Sequence, residues 1–530
     1  MTPPDAPDTA TGAPGSDSGA PAAAGRRADS APVGEAYSSL EHRFARIARL
    51  DDALGVLHWD FETTMPDGAA SGRAETLATL GVLRHEHLVA PEVGEWLDAA
   101  AGDRSLDDWQ AANLREMRRA WRHATAVPGD LIEAASKASS HCQMAWRRAR
   151  EESDFGALLP SLTEVLDLTR RIAEAKGDAF GVDPYDALLD EYDPGSSAAR
   201  LDPIFDDLAG FLPDFTERVL AHQARRPAPI RPEGHFPIDR QRGLARRLME
   251  AIGFDFSRGR LDVSTHPFCG GGLGDVRVTT RYSETDFARS LMAVLHETGH
   301  AMYEMGLPEA WRAQPVGADR GMAVHESQSL MVEMQAARSK AFIDYAAPLI
   351  RETFGGDGPA WTADNLHRLY TRVERGLIRV DADEVTYPAH VILRYRLERQ
   401  LIKGELKLVD LPAAWNAGMA ELVGVTPPND ALGCLQDIHW PGGGFGYFPT
   451  YTLGAMTAAQ LFDAASRADP EIEPAIGRGD FSPLMHWLRT HVHGVGCVPE
   501  SGDALLEQAT GRPLDVAVFK RHLERRYLGA

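Results

Sequence analysis

His296, Glu297 and His300 form an H-E-x-x-H pattern inside the stretch Phe287–Met305. In a helix, residues i and i+4 lie on one face a turn apart, so both imidazoles can reach one ion. Glu297 then projects beside that ion, placed to take a proton from the attacking water. A catalytic ion of this kind takes three protein ligands and keeps one position open. The third must come from elsewhere, and the segment Gly321–Glu333 offers His325, Glu326 and Glu333. Periodicity alone does not choose among them. Glu326 shares a helical face with Leu330, Glu333 and Ala337, so that face could meet the first helix. Glu304, one turn past His300, is placed to orient an imidazole from behind; its alternative is a solvated surface carboxylate.

The elements that must hold these groups are helices. Ser283 and Asp286 read as a capping box, and Gly306 with Pro308 as a stop signal. Between them Phe287, Leu291, Val294, Leu295, Ala301, Met302 and Met305 recur at three- and four-residue steps, which buries one face. The same 3.6-residue pattern predicts helices over 106–125, 129–154, 158–180, 321–346, 362–376, 384–403 and 514–527. Pro388 falls in the first turn or so of the 384–403 helix, where a missing amide donor costs little. The exception is about 260–282, where β-branched alternation and a Gly-rich turn predict a hairpin or small sheet leading into the metal helix. No fixed-period repeat is present. The fold class is mainly α: a single large helical domain over 35–530 with a small β-sheet beside the H-E-x-x-H helix. Residues 1–34 are rich in Pro, Ala and Gly and read as a disordered tail, because they cannot bury enough surface to offset ordering entropy.

Composition narrows the function classes. The formal net charge is −22, which argues against binding nucleic acid through a basic surface. No run approaches the ~18 apolar residues that span a bilayer, so no membrane role is expected. The N-terminus lacks the charged and apolar regions of a signal peptide, and the expectation is a cytoplasmic protein. Cys142, Cys269, Cys434 and Cys497 are far apart with no C-x-x-C pair, and read as thiols in a reducing compartment.

Five ordered motifs resemble those of the M32 metallocarboxypeptidases, of the thermostable carboxypeptidase Taq type. They are Asp275-Val-Arg-Val-Thr279, His296–His300, His325-Glu-Ser-Gln328, Arg379-Val-Asp-Ala-Asp383 and Gly433-Cys-Leu-Gln-Asp-Ile-His-Trp440. Leu57–Pro66 and Thr510–Leu514 look like further family segments, so the resemblance runs from about 38 to 528. It implies a metal site of His296, His300 and Glu326, loaded with zinc or alternatively cobalt, with Glu297 as the base. It also implies a homodimer with a long groove that removes C-terminal residues of peptides one at a time, with broad specificity. The N-terminal tail and Pro388 depart from the family pattern.

An exopeptidase must read a free carboxylate, which Arg does in bidentate fashion. Arg379 and Arg277 are the motif arginines; the alternative for each is a salt bridge, to Asp383 or Asp275. His439 and Asp437 could form an orienting pair that helps bind substrate or the oxyanion, or a buried structural hydrogen bond. His266 could line the groove or be structural. Tyr447 and Tyr451 could donate to substrate or simply pack. His491 and His493, two apart, point to different faces and are not expected as ligands. Two competing readings are a zinc endo- or oligopeptidase and a helical binding protein with a vestigial metal site.

Overall fold

A computed structural model describes residues 34–529, so the expected tail lies, apart from Gly34, outside the described residues. Among those residues there are twenty α-helices and one three-stranded sheet. The chain enters through the helix Glu35–Thr63, which buries Tyr37, Leu40, Phe44, Ile47 and Trp59 along one stripe. Further helices lie at Asp108–Thr125, Gly129–Glu152 and Phe155–Phe180, close to the predicted bounds.

The sheet lies where the alternating pattern placed it. Strand β1 (Gly259–Val263) runs parallel to β3 (Asp275–Thr280), and β2 (Cys269–Gly272) pairs antiparallel with β3, giving the order β1-β3-β2. The first helix crosses β2 so closely that a Cβ on Gly55 would stand 2.0 Å from the Gly271 carbonyl oxygen. Only glycine allows that approach. After β3 the metal helix, Phe287–Gly306, begins at Asp286, whose carboxylate accepts from the amides of Ala288 and Arg289. The expected capping box does not form: Ser283 Oγ meets Thr285 instead, so Asp286 caps alone.

Two of the predicted helices are broken. The stretch 321–346 is an α-helix over Met322–Leu330, a π-helical segment over Met331–Ala337, and a new helix, Lys340–Phe354, capped by Ser339. The stretch 362–376 is helical only over Ala363–Tyr370, because the Gln223 side chain pairs with both the amide and the carbonyl of Val373. Pro388 sits in the first turn of the helix Tyr387–Lys403, as expected, and the C-terminal helix is Val516–Leu528.

Two large apolar cores meet at the metal helix's neighbours. The helix Met322–Leu330 sends Ala323 and Leu330 into one core and Val324 into the other. The helix Pro449–Ala468 does the same, with Leu453 and Met456 on one side and Leu461 and Phe462 on the other. Each fully buried Leu or Phe contributes roughly 1.5–3 kcal/mol. The seam between the cores is therefore held from both sides, and it is there that the polar residues of the site collect.

Candidate metal centre

His296, His300 and Glu326 converge, with one ligand atom of each within 4.8 Å of the others. Glu326 Oε2 stands 3.8 Å from His296 Nε2 and 3.5 Å from His300 Nε2. The other nitrogen of each ring is committed: His296 Nδ1 donates to Glu333 Oε2 at 2.9 Å, and His300 Nδ1 to the His325 carbonyl at 3.0 Å. Both Nε2 atoms are thereby turned toward Glu326. Two imidazoles and a carboxylate on one point is a donor set suited to a divalent ion, with each ring oriented from behind.

Of the three candidates for third ligand, Glu326 is the one whose carboxylate stands with the two Nε2 atoms, while Glu333 and the His325 carbonyl meet the Nδ1 atoms of the rings. Glu333 shares itself between His296 and Arg338 Nη2, the latter at 2.6 Å. Glu304 acts one step further out than expected: it accepts from His325 Nε2 at 2.9 Å and leaves His300 to the His325 backbone. Two glycines make the convergence possible. A Cβ on Gly299 would lie 2.3 Å from the Gln328 carbonyl oxygen, and one on Gly454 would lie 2.7 Å from Glu326 Cγ. A glycine inside a helical pattern is the sequence signal of such close approach, and these two carried it unread.

Glu297 is 7% exposed. Burial pushes its carboxyl up to about 7; His296 opposes the rise and Glu326 adds to it. A cavity of about 500 Å³ opens on the side of His325, lined among others by Asp52, Cys269, Gly270, Glu304 and His325.

The predicted substrate-binding residues fall into two groups. Arg379 is buried, and its Nε and Nη2 both donate to Asp437 Oδ1, at 3.1 and 2.9 Å. Its partner is thus Asp437 and not Asp383, whose carboxylate caps Val385 and Thr386. Arg394, which sequence reasoning missed, donates from Nε to Asp437 Oδ2 at 2.6 Å and is fully buried. Its only sequence signal was an arginine within the apolar run Val391–Leu397. Two guanidinium groups share one carboxylate, so the cluster keeps a net positive charge. The expected Asp437–His439 pair does not form a hydrogen bond: the two stand 4.0 Å apart because the arginines claim the carboxylate, and His439 Nε2 meets Tyr451 OH at 3.1 Å. Burial, with Arg379 adding, lowers His439 to about 4, so the ring is neutral.

Tyr387, Tyr447 and Tyr451 each lie within electrostatic range of both Glu326 and Arg379, which ties the arginine cluster to the metal centre. Burial raises all three phenols, Tyr451 to about 12, so they remain donors. Arg277 is placed differently. It pairs with Asp275 at 2.5 Å and lies 4.2 Å over the Trp59 ring, which is the structural alternative foreseen for it. His266 is exposed in the β1–β2 turn and takes no part in the hydrogen-bond network around the triad. His493 is no ligand: its Nε2 contacts Gln328 Oε1 at 3.0 Å.

A helical scaffold carrying an H-E-x-x-H helix and a glutamate on the next defines a metallopeptidase. Residues 39–527 match the family described as carboxypeptidase Taq (M32) metallopeptidase. The chain is 38% identical to thermostable carboxypeptidase 1 of Thermus thermophilus over 503 residues, covering 93% of this chain and 98% of that one. It is 33% identical to carboxypeptidase 1 of Bacillus subtilis, covering 91% and 96%. Among solved structures, metallocarboxypeptidase 1 of Trypanosoma cruzi superposes with a TM-score of 0.91 at 41% identity, over 93% of this chain and 99% of that one. The chain belongs to the M32 metallopeptidase family and is a metallocarboxypeptidase, a peptide-bond hydrolase whose family implies a divalent metal. Among the described residues no helix is long and apolar enough to cross a membrane.

Proposed function

We propose that this protein removes C-terminal residues one at a time from peptides, with broad tolerance of side chain, using zinc or alternatively cobalt held by His296, His300 and Glu326. The observation that carries the reading is the buried Arg379–Asp437–Arg394 cluster, one positive charge in excess, beside the metal centre. A buried cationic cluster with an open demand for an anion is what a free C-terminal carboxylate would satisfy. The ion, when bound, supplies Lewis acidity at the scissile carbonyl and acidifies a water. Glu297 accepts that water's proton and returns it to the leaving amine. Tyr387, Tyr447 and Tyr451 offer hydroxyl donors between the two charge centres, and Arg379 sets how far the chain end reaches.

Four unpaired thiols fit a reducing, cytoplasmic setting, and the family resemblance supports a homodimer. The deciding measurement is time-resolved mass spectrometry of one peptide with a free and with an amidated C-terminus, with and without chelator. Single residues should be lost from the free end only, and chelator should stop the loss. Internal fragments, or efficient cleavage of the amide, would favour an endopeptidase.

A further inference from the structure

We propose that Arg526, on the C-terminal helix, is a positioning residue for the metal ligand His296, acting through the π-helical segment that carries Glu333. The π-helical segment Met331–Ala337 is wholly buried, and as the last turns of its helix it leaves carbonyls in need of partners. Two of these, Met334 and Gln335, accept from Arg526: Nη1 reaches the first and Nη2 the second at 3.0 Å. Arg526 Nη1 also donates to Glu384 Oε2 at 2.9 Å. Glu384 is in turn fixed by the same helix, through His522 Nε2 at 2.7 Å and Tyr527 OH at 3.0 Å. The final helix therefore aims three donors at one buried carboxylate and clamps the π segment against it.

The residue just before Met334 is Glu333, whose Oε2 receives His296 Nδ1 and whose Oε1 receives Arg338. Where Glu333 points depends on the π register. Relaxation of that segment to ordinary α geometry would remove one residue from a turn and rotate the rest of the helix by about 100°. The guanidinium fork can satisfy two adjacent carbonyls and a carboxylate at once, whereas an ammonium cannot hold all three in that geometry. Arg526 thus holds the register, the register aims Glu333, and Glu333 orients the imidazole.

The inference rests on the metal site proposed for His296, His300 and Glu326. Its test is the equilibrium zinc affinity of the metal-stripped full chain, read by competition with a chromophoric chelator. Arg526→Gln and Arg526→Lys should each weaken zinc about 10-fold, the lower end for partners behind a ligand. Lys520→Gln on the same helix, which removes a pair with Asp207 and a contact over the Phe211 ring, should change it less than twofold. If Arg526 acts through Glu333, the double variant Arg526→Gln/Glu333→Gln should bind zinc no more weakly than Glu333→Gln alone. The visible spectrum of cobalt-loaded Arg526→Lys should also shift. Arg526 variants that bind within twofold of the parent, or additive losses in the double variant, overturn the inference. Should neither Arg526 variant fold, Tyr527→Phe must weaken zinc at least twofold, and a smaller effect overturns it. A parent chain that binds no zinc would sink the metal site itself, a separate result.

Discussion

The roles proposed for Glu297 and Arg379 differ, so the two should fail in different ways when altered. Glu297→Gln keeps the volume and removes the proton acceptor, so kcat should fall about 10²–10⁴-fold. Metal content by elemental analysis should be unchanged, since Glu297 is not one of the three ligands. Arg379→Lys should raise KM for free-acid peptides at least tenfold and narrow their advantage over amidated ones, because a single ammonium cannot span Asp437 and a second carboxylate. Arg277→Lys should act chiefly on stability, through Asp275 and Trp59, with KM altered less than threefold; a larger KM effect would make Arg277 the carboxylate reader instead. Which arginine faces the substrate was open in the sequence, since both sit in motifs with an acid close by. The structure separates them by partner: Arg379 meets Asp437, far away in the chain, and Arg277 meets its near neighbour Asp275.

At the scale of elements, the site depends on how closely three helices approach. Gly299→Ala would press a methyl into the Gln328 carbonyl, and Gly454→Ala would press one into Glu326. Overpacking of this kind costs about 1–3 kcal/mol. Both variants should melt earlier, and Gly454→Ala should also weaken metal binding, because it displaces a ligand directly. Calorimetry of metal-free and metal-loaded protein separates the two effects: equal shifts in both forms would deny Gly454 any part in the site. The metal helix itself was legible from its apolar spacing and from Asp286. The π segment was not, since its residues fit an uninterrupted α pattern and the carbonyls of Met334 and Gln335 meet Arg526, which is far away in the chain.

At the scale of the molecule, buried charges far from the metal set how stability varies with pH. Glu398 is fully buried and accepts from Tyr185 OH, Trp440 Nε1 and the Gly446 amide, joining the helix Pro184–Tyr192 to the loop that bears His439 and Tyr447. Burial raises its carboxyl to about 7, and those hydrogen bonds only partly offset the rise. The native state therefore holds a proton that the unfolded chain releases near the ordinary value of 4.5. Stability from this group is greatest below that value and falls as pH rises toward 7, by at most about 3 kcal/mol. Thermal melts between those limits should show a downward slope that Glu398→Gln flattens. An unchanged slope in the variant would assign it to other groups.

Spacing along one chain was enough to establish the helical class, the small sheet before the metal helix, and the placing of His296, Glu297 and His300 on one helical face. The ordered motifs also carried the family resemblance, and with it Glu326. Tertiary structure decided the features that depend on distant partners. It assigned Glu333 and the His325 carbonyl to the rings, moved Glu304 one step outward, gave Asp437 to two arginines instead of His439, and converted part of a helix to π geometry. Periodicity reports which face of an element is buried, because burial is written in local order. It cannot report which buried polar group meets which, because that depends on how separate elements dock.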